Sequence, residues 1–162
     1  DIKNLVEIHF ENSYYTDTRG IHKYVDVDGS QFIQTRTEPY WGNRFVPYFD
    51  QPDLKGRFTM KALTDKSWEL ITSVEPNIRE QFDTYLQQPS SNSLFDSSIL
   101  QKYSAIPHQD NLTFWSFPKS ALLPTYLFAF AAGPYAKIPL SSVALPKKLS
   151  EALSVPKRDD DG

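Results

Sequence analysis

Short runs in which apolar and polar residues alternate, each closed off by Pro, Gly or a polar cluster, constrain this chain more than any other feature. Phe58, Met60 and Ala62 alternate with Arg57, Thr59 and Lys61. Successive strand residues point to opposite faces of a sheet, so this period of two specifies a half-buried β-strand. After a polar Thr64-Asp65-Lys66 turn comes Trp68-Glu69-Leu70-Ile71-Thr72-Ser73-Val74, and the two runs together predict a hairpin. Val6, Ile8 and Phe10 alternate with Glu7, His9 and Glu11, the signature of another half-buried strand. Tyr24-Val25-Asp26-Val27 leads into Asp28-Gly29, a strand ending in a tight turn. Leu112 to Phe117 and Tyr126 to Ala132 predict two more strands, the second apolar on both faces and therefore central in its sheet. The expected fold class is mainly β, an antiparallel β-sandwich or saddle.

One stretch departs from the period of two. Between Pro76 and Ala105, Ile78, Phe82, Tyr85 and Leu86 recur at helical spacing until a QQPSSNS run interrupts them, and Leu94, Phe95, Ile99 and Leu100 then form a second short apolar face. This predicts a short helical insert over 76–105, either a surface excursion packing its own apolar groups or a segment that docks a partner. The β body is expected over 1–145. Residues 146–162 form a charged tail with at most one helical turn around Leu149 to Leu153.

Composition removes several function classes. The chain has 162 residues, 40% of them hydrophobic, enough for the core of one domain. Its net charge is −3 and its Lys and Arg are scattered, so neither nucleic acid nor an anionic membrane is an expected partner. With no Cys, disulfides, thiolate chemistry and Cys-ligated zinc are excluded. The longest apolar run, Ala121 to Tyr135, is broken by Pro124 and Gly133 and falls short of the roughly 20 residues that span a bilayer, so no transmembrane segment is expected. The opening DIKNLVEIHF carries no signal-peptide pattern. One glycosylation sequon, Asn111-Leu112-Thr113, sits in a strand-like stretch.

The densest cluster of unusual residues is TEPYWGNRFVPYFDQPDLK, Thr37 to Lys55, which reads as a built corner. It resembles the EPxxAxRxFPxFDxPxxK signature of zinc aminopeptidases of the aminopeptidase N type. Upstream, Tyr14 to His22 is similar to that family's NxYxxdxxGlh strand and turn. Downstream, Trp68 to Ser73 resembles its WxvisN strand. Trp115 to Phe117 with Thr125 to Tyr135 resembles its wxFxxtxxmsTYLfaflaGpy block. The blocks are in register over about residues 5–145.

The resemblance implies the second half of an N-terminal β-saddle domain, with an open sheet edge or apolar face that other protein chains would cover. It implies a structural role for Arg44, Asp50, Pro47 and Pro52, with Arg44 and Asp50 paired to hold the aromatic loop. It also implies that Glu38 helps to hold the free α-amino group of a peptide and that Arg36 stands where the family usually has Gln. A cation there is expected to pair with Glu38 itself. The other reading of Glu38 is a carboxylate capping the turn that starts at Pro39.

No catalytic residue is expected in this chain. Zinc peptidase chemistry uses HExxH, two His one helical turn apart with a Glu acting on metal-bound water, whereas His9, His22 and His108 are never four residues apart. No metal site or cofactor is therefore expected here, and zinc would enter only through a separate catalytic domain. Two functions follow. One is a non-catalytic, aminopeptidase-like structural or interaction module, a pseudoenzyme subunit of a larger complex. The other is the N-terminal piece of an active zinc aminopeptidase, a hydrolase whose HExxH domain lies on another chain.

Overall fold

A computed structural model describes residues 4–82 and 111–138. Seven strands are present there: β1 (Gly20–Val25), β2 (Gln31–Arg36), β3 (Lys61–Asp65), β4 (Glu69–Thr72), β5 (Ile78–Gln81), β6 (Leu112–Ser116) and β7 (Phe130–Gly133). They build two antiparallel sheets, one in the order β1-β2-β7-β4 and the other β3-β6-β5. The mainly β, two-sheet reading of the sequence therefore holds. Among the described residues no helix is long and apolar enough to cross a membrane.

Asp28-Gly29 joins β1 to β2 as the tight turn expected. The Asp26 N–H donates to the Ser30 carbonyl and the Gly29 N–H to the Asp26 carbonyl. β7 is central, as its two-sided apolar pattern requires, pairing with β2 through Ile33↔Ala132 and with β4 through Leu70↔Ala132. It is shorter than the sequence suggested, because Thr125–Leu127 forms a 3-10 turn before it. β6 is central in the other sheet and carries neighbouring buried residues on its two faces. Trp115 packs with Leu70, Phe117 and Ala132, and Phe114 packs with Phe82, Leu63 and Ile78. Covering both faces of one strand explains why Leu112 to Phe117 shows no polar side.

Three expectations are corrected. β3 and β4 are not a hairpin: β3 pairs with β6 and β4 with β7, so the turn between them crosses from one sheet to the other. The Trp68 N–H donates to the Asp65 carbonyl, and the Lys66 N–H leaves the turn to reach the Asn111 carbonyl. Leu70 and Trp68 then face the Trp115 cluster across the sandwich instead of lying beside β3. The helical spacing that begins at Ile78 is a strand, β5, over its described part, because its backbone pairs with β6 from Ile78↔Ser116 to Gln81↔Thr113. The rest of the 76–105 insert and the 146–162 tail lie outside the described residues. Finally, Val6, Ile8 and Phe10 form no strand and pair with nothing. Leu5, Val6, Ile8 and Phe10 are 95, 75, 52 and 53% exposed.

Candidate functional site

The Thr37 to Lys55 segment is a corner, and its polar groups converge on backbone. β2 ends at Arg36, and the chain turns at once. The Trp41 N–H donates to the Thr37 carbonyl, and Gly42–Arg44 continues as a 3-10 turn. Thr37 is fully buried, and its hydroxyl donates to the Tyr126 carbonyl at 2.9 Å, fixing the start of the corner to the segment before β7.

Asp50 closes the corner by accepting three hydrogen bonds. One oxygen takes the Gly42 N–H at 2.9 Å and the Asn43 N–H at 3.4 Å, and the other takes the Thr125 hydroxyl at 2.9 Å. A carboxylate on the N–H groups that open a 3-10 turn satisfies donors that have no partner within the turn. Tyr48 packs beside it and donates to the Thr125 carbonyl at 3.4 Å. Burial, followed by the negative charge of Asp50, pushes the Tyr48 phenol up to about 12. Gly42 makes this approach possible, since a Cβ there would lie 1.8 Å from the Tyr48 hydroxyl oxygen. Pro52 occupies the second position of the turn closed by the Leu54 N–H to the Gln51 carbonyl, where a fixed φ favours turning, and both Pro47 and Pro52 are exposed.

The expected Arg44–Asp50 pair does not form. Arg44 instead meets Asp17, with 2.9 Å between Nη1 and Oδ2. Its guanidinium lies 4.7 Å from the Tyr15 ring centroid and 4.5 Å from that of Trp41, while Arg19 stacks on Trp41 at 4.6 Å. The planar cation suits two aromatic neighbours, and the six-residue offset to Asp50 leaves that carboxylate to the backbone. The Arg44 guanidinium, helped by the Arg19 N–H, holds the Asp17 carboxyl below its usual range. Gly20 lets β1 start directly against this cation, having φ of 73° and space for no Cβ, which would fall 2.4 Å from the Cβ of Arg44. The Asn12 amide donates to the Arg44 carbonyl and ties the preceding segment to the same corner.

Arg36 and Glu38 stand exposed on either side of Thr37, at the end of β2. Among the described residues no ion pair joins them, and Glu38 accepts no hydrogen bond, so it does not cap the turn. The structure thus separates two sets. Arg44 and Asp50 bond within one corner, each to a different partner, while Arg36 and Glu38 are exposed charges that no ion pair joins.

A family model for the peptidase M1 N-terminal domain matches residues 3–85. The chain belongs to this family. The match covers β1 to β5 and the whole corner. Aminopeptidase N of Streptomyces lividans is 24% identical over 106 residues, which are 64% of this chain and 12% of that protein. The aligned M1 segment therefore spans about an eighth of that relative.

Signals for Asp17 and Thr125 were absent from the motif, since each acts from a distant part of the sequence. Among the described residues no three His, Asp or Glu side chains converge as a metal-holding group. The sequon residue Asn111 uses its side-chain nitrogen on Asp65 at 2.6 Å.

Proposed function

We propose that this chain is a non-catalytic, aminopeptidase-like module of a larger assembly, holding a rigid corner next to the place where a peptide would sit. The observation that carries this reading is the division of charge at the corner. Asp50, Arg44 and Asp17 act on the chain itself, and Arg36 and Glu38 are left facing outward. The sequence has no HExxH, so any peptide cleavage would belong to another domain or chain. Other protein chains would lie along free sheet edges such as β4 and β5, because unpaired edge N–H and C=O groups favour an added neighbour.

A second reading keeps the module inside an active zinc aminopeptidase, with Glu38 receiving the peptide ammonium. The unpaired state of Glu38 favours it, since a carboxylate not neutralised by Arg36 can take an external cation. A native mass spectrum of the protein as purified from its source, with zinc determined on the same sample, separates the two. Association with chains that carry no zinc supports the module. Association with a zinc-bearing HExxH chain supports the second reading, and Glu38→Gln should then raise KM for peptides with free N-termini. A lone, zinc-free monomer would overturn both.

A further inference from the structure

The molecule leaves two apolar surfaces uncovered that match each other. The first is the groove beside β3, of about 360 Å³, lined by Tyr14, Ile21, Ile33, Leu70 and Phe130, and by β3 itself. Four consecutive β3 residues, Ala62, Leu63, Thr64 and Asp65, line it. Side chains alternate between faces, so four in a row means that the strand offers its edge to the groove as well as one face. β3 pairs with β6 on its other side only, and stands at the end of the sheet order β3-β6-β5.

The second surface is the segment Leu5 to Phe10. Its sequence is two-sided, apolar at every second residue. Glu7 and His9, two residues apart, meet at 2.8 Å on one side, which leaves Val6, Ile8 and Phe10 together on the other. An apolar row at strand spacing that pairs with nothing is a strand lacking its sheet.

We propose that the groove is a strand-docking site and that its occupant is this chain's own segment Leu5 to Phe10, laid along the free edge of β3 with Val6, Ile8 and Phe10 turned inward. Three features select this occupant. Asn12 is tied to the Arg44 carbonyl, and Tyr14 already lines the groove, so the segment is tethered at the groove's mouth. Residues 4–10 extend about 20 Å at roughly 3.3 Å per residue, enough to run past all five residues of β3. A short tether also gives an effective concentration in the millimolar range, which a free partner rarely reaches. Docking would place Glu7 and His9 on the solvent side and leave their contact intact. The proposal does not depend on whether Glu38 binds a peptide or which chains the module joins.

The chain has no cysteine, so disulfide trapping reads the contact without background. In the full chain, Val6→Cys, Ile8→Cys and Phe10→Cys are each combined with Ala62→Cys and oxidised under mild conditions. The Ile8→Cys, Val27→Cys pair serves as the control, since Val27 is fully exposed and does not line the groove. At least one inward pair should close within a monomer about tenfold faster than the control. Closure no faster than the control overturns the proposal. Disulfide-linked dimers also overturn it and assign the groove to a second copy. In the unsubstituted chain, hydrogen exchange supplies a reading that no substitution can disturb. The amides of residues 5–10 should be protected at least about tenfold over a peptide of the same sequence, and free exchange there would overturn docking.

Discussion

The corner at Asp50 and the groove beside β3 share strands of one sandwich and have opposite deficits. At the corner the polar groups that hold the turn have partners: Asp50 takes two N–H groups and a hydroxyl, Thr37 bonds to Tyr126, and Arg44 lies on two rings and a carboxylate. In the groove the unmet need is apolar, with Ile21, Ile33, Leu70 and Phe130 lining open space. The difference shows that directional bonding has completed one region within these residues, whereas hydrophobic closure of the other requires a further strand.

The contrast is broken most severely by Asp50→Ala. It strands the Gly42 N–H and the Thr125 hydroxyl in a partly buried site and should cost about 3 kcal/mol in urea unfolding, given the worth of hydrogen bonds to charged groups. A loss under about 1 kcal/mol would mean that the corner is held by its aromatic packing. Arg44→Lys keeps the charge but loses the flat surface stacked on Tyr15 and Trp41, and about 1 kcal/mol should follow. If Arg44→Lys proved as damaging as Arg44→Ala, stacking would be the whole of its contribution.

Alkaline pH tests Tyr48. Its folded value of about 12 lies above the ordinary phenol near 10, so the unfolded chain loses that proton first as pH rises. The contribution is fully present below pH 10 and should drain away between about 10 and 12. In Tyr48→Phe that part of the fall should be smaller. The smallest effect belongs to Asp17, which lies at the surface. Its carboxyl is held low by Arg44, so its contribution exists above the usual carboxylate range and fades as pH falls through the folded value. Asp17→Asn should lower stability at pH 7 only slightly and flatten the acid limb of the stability profile by the same small amount. A large effect at pH 7 would show that the pair organises Arg44 on its rings.

Much of this was legible in the sequence, though unevenly. Apolar-rich runs located β6 and the central strand β7, and the density of Pro and aromatic residues marked the corner, because both signals are local. β2 was missed because Phe32 and Ile33 adjoin, so each side of the strand carries one and neither reads as the apolar face. The hairpin at Thr64 to Lys66 was misread because turn chemistry fixes a reversal but not which sheet receives the next strand. That choice rests on Leu70 reaching Trp115 and Ala132, contacts more than 40 residues apart. The partner of Arg44 escaped for the same reason. Asp17 lies 27 residues away, and Asp50, only six away, looked nearer than the folded chain makes it.

The crossing between β3 and β4 also orders events on the ribosome. Among the described strands, only β1 and β2 can pair before residue 112 has been made, since β3 and β5 both wait for β6, and β4 waits for β7. Such late, distant pairings slow folding and leave the emerging segment from β1 to β5 with one hairpin and much apolar surface, the state that chaperones bind. The same wiring brings Gln81 and Thr113 together across 31 intervening residues, so the pairing of β5 with β6 sets where that stretch must begin and end while every residue of β6 stays under constraint.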